Sequence, residues 1–151
     1  MSASASIDRI HAPPEEHWHW AMPVRVRWAD VDALGHVHHL AYLRWCEDAR
    51  NEHAVAIGLP VPGTGARSQV VVAMACDFRK PLGRAVEPSV LLRVIRVGNA
   101  SLEVRFSIQI DHVEHFAARV TTVMCDDHTG QSSPWTPGER SQLLSPGPLA
   151  S

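Results

Sequence analysis

One long stretch of helical spacing, set among segments that alternate apolar and polar residues, limits the folds open to this chain. From Leu40 to Ile57, Tyr42, Trp45, Cys46, Ala49, Ala56 and Ile57 recur as one helix face, broken by His53. Gly58 follows as a C-terminal cap, and Pro60 bars continuation. Ahead of the helix, Met22, Val24, Val26 and Trp28 alternate with Pro23, Arg25, Arg27 and Ala29 up to Asp30, the period of a half-buried strand. Four strand-like segments come after it: Val70 to Phe78, Val90 to Val97, Leu102 to Ile110 and Phe116 to Cys125. The first is a continuous apolar run, suited to a strand covered on both faces or at a subunit contact. Gly98-Asn99 and Asp111-His112 are compact enough for hairpin turns. Consecutive hairpins imply an antiparallel sheet whose apolar face the single helix must cover, an α+β domain. Its unpaired edges favour association through edge pairing or face packing.

A chain of 151 residues predicts one domain. We expect it at residues 21–130, after a loose, His-rich tail at 1–20 in which only Trp18 and Trp20 should pack. His17 and His19 read as solvated. From Gln131 onward four prolines and two glycines predict an irregular tail over 131–151. A net charge of −2 offers no basic excess for wrapping nucleic acid. Three cysteines without a C-x-x-C spacing speak against a disulfide framework or zinc ribbon and for reduced thiols. The longest apolar run, Val70 to Cys76, falls far short of the ~20 residues that span a bilayer. Met1 to Ser6 lacks the basic start and apolar stretch of a signal peptide, so the expected location is cytoplasmic, away from membranes.

The junction between first strand and helix carries the chemistry. Between Asp30 and His39 lie two carboxylates, Gly35 and three histidines, where a helix begins. A helix N-terminus offers free N–H donors and a positive dipole end, suited to a carbonyl oxygen gaining charge. Gly35 permits a turn that brings the chain close to a ligand. Asp32 then sits where a nucleophile, or a base acting on water, would be useful.

This stretch resembles the hotdog-fold acyl-CoA thioesterases of the 4-hydroxybenzoyl-CoA thioesterase class, whose junction looks like R-x-x-D-x-D-x-x-G-H-V-N-N-x-x-Y-x-x-x-x-E. Arg27, Asp30, Asp32, Gly35, His36, Val37, Tyr42 and Glu47 match it in order. A weaker likeness covers Asp77 to Glu87, similar to the family's aromatic-x-x-Pro segment, and the strand plan agrees over residues 22–126. The resemblance implies a five- to six-stranded antiparallel sheet wrapped around one long central helix. It implies an acyl-CoA or acyl-carrier-protein thioester as substrate, hydrolysed without a cofactor by a homodimer or homotetramer with sites at subunit interfaces. Asp32 would be the catalytic carboxylate, and the N–H groups around Val37 to His39 would polarise the thioester carbonyl. His38 and His39 replace the family's two asparagines; His39 becomes a catalytic partner that orients substrate or water, where His can also shuttle a proton.

Plainer roles stand beside these. Asp30 reads as a helix cap or Asx-turn residue, and Glu47 as half of a structural ion pair. Tyr42 lies on the core stripe yet could touch substrate. Arg79, Lys80 and Arg84 form a basic cluster suited to coenzyme A phosphates or simply to water. Ser101, near a Ser/Thr common in relatives, contacts substrate or merely ends a hairpin. His36, His38 and His39 lack a familiar metal-ligand spacing, so no metal is expected. Cys46 and Cys76 read as small core residues. Two rival functions share the fold: an acyl-CoA-binding module without turnover, and a hotdog dehydratase.

Overall fold

The computed structural model describes residues 17–147. Five strands form one antiparallel sheet in the order β1-β3-β4-β5-β2. They are β1 (Trp20–Pro23), β2 (Arg67–Phe78), β3 (Ser89–Val97), β4 (Ser101–Ile110) and β5 (Val113–Asp126). The long helix α1 (His39–Ala56) lies on the inner face, and a short helix α2 (Pro137–Leu144) follows the last strand. This is the α+β, sheet-around-a-helix arrangement expected.

Helix α1 has chemically defined ends. His38 is its N-cap, its Nδ1 accepting from the Leu40 N–H at 3.2 Å. At the far end Gly58 adopts φ +76, while the Leu59 N–H reaches Ala54 O at 2.8 Å and the Gly58 N–H reaches Val55 O at 3.1 Å, a Schellman closure. Its buried stripe, including Ala41, Tyr42, Trp45, Cys46 and Ala49, meets Val90 and Leu92 of β3, Phe106 and Ile108 of β4, and Phe116 and Val120 of β5. The β4–β5 hairpin turns on Asp111 (φ 49) and His112 (φ 64), the two left-handed residues of a type I′ turn. Register breaks at Val71/Ala73, Val94/Arg96 and Ile108/Gln109 add the bulges that bend a sheet around a helix.

Three expectations need correction. The strand expected over residues 22–30 is shorter and earlier, Trp20–Pro23, because past it the Val24 N–H donates to Pro88 O and Pro88 has no N–H to continue the ladder. Asp30 Oδ2 accepts from the Arg27 N–H at 2.8 Å and tightens Trp28–Asp30 into a 3₁₀ turn, leaving Trp28 78% exposed. His19 is not solvated: its N–H donates to Leu92 O, and its Nδ1 accepts from the Val94 N–H at 3.2 Å. Trp18 does pack, over the buried Arg105 guanidinium at 5.5 Å from the ring centre.

The third concerns the chain after Gln131, which is not irregular throughout. Thr136 and Glu139 form a reciprocal capping box around Pro137 at the first helical position, starting α2. Trp135 and Leu143 are buried with the main core. The Trp135 indole donates to Ser101 O at 3.0 Å, and Arg140 donates to Val97 O and Gly98 O. Arg67 of β2 donates to Glu139 at 2.6 Å, pinning α2 to the sheet.

Candidate active site

Between the 3₁₀ turn and α1 the chain makes a small loop closed by a bridge between Val31 and Val37. Gly35 at φ +78 turns the loop, as the sequence suggested. Asp32 is half-buried within it, and its Oδ1 accepts from the Leu34 N–H at 2.8 Å and the His36 N–H at 3.2 Å. That is an Asx-type turn, and it leaves Oδ2 without a hydrogen bond among the described residues. Asp30 has another part. It is buried, ion-paired with Arg44 of α1 and with Arg27. Burial pushes its pKa up, but the Arg27 amide and the Arg44 and Arg27 guanidiniums outweigh this and hold it below its ordinary 3.8.

A pocket of 330 Å³ opens beside the loop, lined by Asp32, His36, Val37, His39 and Tyr42 together with Phe78, Arg79, Lys80 and Pro81. Asp32, His36, Val37, His39, Tyr42, Arg79 and Lys80, all singled out in the sequence, therefore converge there, whereas Gly35, His38, Arg84 and Ser101 do not line it. Tyr42 is buried and stacked on Phe116, with ring centres 5.1 Å apart. Burial, with the Asp32 charge nearby, raises its hydroxyl pKa against a hydrogen bond from Leu82. His39 is exposed, edge-on to Phe78 and stacked with His38 at 4.4 Å.

The helix N-terminus is less open than the sequence suggested. The Val37 N–H donates to Leu82 O and the His38 N–H to Asp30 O, both at 2.7 Å. The Leu40 N–H is taken by the His38 side chain. Of the three amides from Val37 to His39, only that of His39 has no partner among the described residues.

The basic cluster divides. Arg79 is engaged with Asp77 at 2.8 Å and Glu114 at 2.6 Å, Lys80 is exposed at the pocket, and Arg84 lines a separate cleft with Arg25 and Glu87. Ser101 is not brought to the pocket within one chain. It opens β4 beside Trp135, about 24 Å of strand from Ile108, the residue opposite Phe116. Glu47 does face an arginine, Arg50, at 3.8 Å. Phe78 and Pro81 were not singled out as contacts, although they belong to the aromatic-x-x-Pro stretch that the sequence displays. Among the described residues, no group of three or more His, Cys, Asp or Glu could hold a metal.

A profile of the thioesterase-like superfamily matches residues 26–143, covering the loop, α1 and the whole sheet after β1. The chain belongs to that superfamily. Within it, a 1,4-dihydroxy-2-naphthoyl-CoA hydrolase of Synechococcus sp. (strain CC9311) is 28% identical over 112 residues, 68% of this chain and 73% of that protein. A protein of the same name from Parasynechococcus marenigrum (strain WH8102) is 30% identical over 106 residues, 64% of this chain and 69% of its own. Among solved structures, a Pseudomonas aeruginosa PAO1 protein superposes with a TM-score of 0.79 at 24% identity, covering 87% of this chain and 93% of that one. A 1,4-dihydroxy-2-naphthoyl-CoA thioesterase from Synechocystis gives 0.73 at 16% identity, covering 83% and 95%. The hotdog fold is thus common to this superfamily member and its structural neighbours.

Proposed function

We propose that this superfamily member hydrolyses an acyl or aroyl thioester of coenzyme A to the free acid and coenzyme A. One observation carries the reading: Asp32 Oδ2 and the His39 N–H, both without hydrogen-bond partners among the described residues, belong to residues lining the same pocket. The His39 amide, at the positive end of α1, stabilises the carbonyl oxygen as it gains charge. Asp32 either adds to the carbonyl carbon, giving an anhydride that water opens, or takes a proton from an attacking water. Either route expels the coenzyme A thiolate. The His39 imidazole orients substrate or water, and Lys80, at the pocket rim, meets anionic parts of the substrate. The two cyanobacterial relatives are named for a dihydroxynaphthoyl ester, which puts aromatic acyl groups first among those to try.

The working form is a homo-oligomer joined first along β2. This edge strand exposes Val70, Val71, Val72 and Met74, and a second copy pairing antiparallel with it would cover them and satisfy its free backbone groups.

The test is thiol release from short, long and aromatic acyl-CoA esters by wild type and Asp32→Asn. Release by wild type, falling by about 100-fold or more in the variant while ester binding persists, is the expected result. Tight binding without release would make the protein an acyl-CoA binder. Water addition to an enoyl ester would make it a dehydratase.

A further inference from the structure

Beyond the first turn of α1, a second cavity holds a charged group that the chemistry above leaves unused. This groove of 390 Å³ lies between α1 and β2, with Leu40, Leu43 and Cys46 facing Val71 and Met74. The two cavities lie along the same two elements. His39 and Tyr42 line one while Leu40 and Leu43, their next neighbours, line the other, and Phe78 and Met74 stand four residues apart on β2.

Arg50 also lines this largely apolar groove, together with Glu47 and with Arg44, which is paired to Asp30. The Arg50 side chain is 9% exposed and makes no hydrogen bond among the described residues. Its one ionic contact is with Glu47 at 3.8 Å, and Glu47 is itself 63% exposed. A guanidinium presents five donors and stays charged even where burial lowers its pKa, as here. None of the Arg50 nitrogens is fully buried without a partner, so they meet solvent through the groove, where a substrate oxygen would take the place of water. Arg50 lies eleven residues after His39, ~16 Å along a helix. Helical side chains lean back toward the N-terminus, which brings the guanidinium to about 10 Å from the His39 amide.

We propose that the groove receives the acyl part of the thioester and that Arg50 recognises an acidic oxygen, carboxylate or phenol, at its far end. This rests on the thioesterase reading. It adds a substrate class: acyl groups with an apolar body and an oxygen acceptor about 10 Å from the reacting carbon.

The test compares kcat/KM for coenzyme A esters differing only at the far end. One pair sets an ω-carboxyalkanoyl ester against the methyl-terminated ester of equal length. The other sets a hydroxyaroyl ester against the unsubstituted aroyl ester. Binding of all four to Asp32→Asn protein is read in parallel by calorimetry. Wild type should favour the oxygen-bearing member of at least one pair by about tenfold, and the pair that responds identifies the carboxylate or the phenol. In Arg50→Met the ratio should fall toward one, and Arg50→Lys should restore part of it. A wild-type ratio near one, or a ratio unchanged in Arg50→Met, overturns the proposal. Loss of the oligomer in Arg50→Met with the ratio kept also overturns it, assigning the guanidinium to a carboxylate of the second copy. If no ester is turned over, the thioesterase reading fails by itself, and the binding ratios still decide the role of Arg50.

Discussion

Asp30 and Asp32 stand two residues apart, and the fold gives them different work. Asp32 has one oxygen without a hydrogen bond among the described residues, whereas both oxygens of Asp30 are held by arginines and an amide. Asp30→Ala should lower stability by roughly 2 kcal/mol in urea melts, since Arg44 is exposed enough to be resolvated once its partner is gone. An unchanged midpoint would mean that the ion pair contributes nothing. The buried imidazole of His53 gives a pH prediction. Burial, then the nearby charge of His19, lower its pKa from 6.5 to about 4, and Trp20 packs against it with ring centres 6.1 Å apart. His19, itself shifted down by burial, His17 and Arg93, acts in the same sense. Above pH 6.5 neither folded nor unfolded chain holds the His53 proton; between 6.5 and about 4 only the unfolded chain does. Stability therefore falls as pH drops through that window, by up to about 3 kcal/mol from His53. Urea midpoints at pH 7.5 and 4.5 should differ less in His53→Met than in wild type. Equal differences would remove His53 from the account.

The elements differ in how far they could be read in advance. Helix α1 and strands β2 to β5 were legible because apolar spacing, Gly58 and the turns at Gly98-Asn99 and Asp111-His112 all agreed. Strand β1 and helix α2 were not. At β1 the alternation was followed past Pro23 to Asp30, and at α2 proline was weighed as a breaker, yet Pro137 sits at a helix start where its missing N–H costs nothing, and Thr136 with Glu139 was a visible capping box. The Asp32 loop was recognisable from its own motif. The Asp30–Arg44 pair was not, because it joins residues fourteen apart through tertiary packing. The groove around Arg50 was hidden for the same reason, since β2 supplies its far wall. Helix α2 should be structural. Leu143 is fully buried, so Leu143→Ala should cost about 3 kcal/mol in a thermal or urea melt. Hydrolysis at a temperature where the variant stays folded should be unchanged, because α2 packs at the Ser101 end of β4, away from the pocket. A large loss of kcat in folded protein would give this segment a part in the site.

At the scale of the whole molecule, the proposed assembly rests on the edge strand β2. Among the described residues, strand β2 pairs with β5 on one side only, and its other side presents unpaired N–H and C=O groups flanked by exposed valines. Protected edges carry charge, proline or a cover, and this one has none over Val70 to Met74. Two such edges meeting antiparallel form an isologous contact that closes at two copies, with β1 left as the outer edge of each sheet. The same contact would roof the groove between α1 and β2 and enclose the acyl group there, so assembly and turnover should be linked. Val72, 58% exposed at the bulge, is the place to break the contact, because lysine there is readily solvated in a monomer and buried in a dimer. Val72→Lys should scatter light as a monomer at concentrations where wild type is dimeric, keep its circular dichroism, and lose most of its thioester hydrolysis. A monomeric variant with full turnover would show that one chain suffices for the site. A variant still dimeric would move the interface to another face.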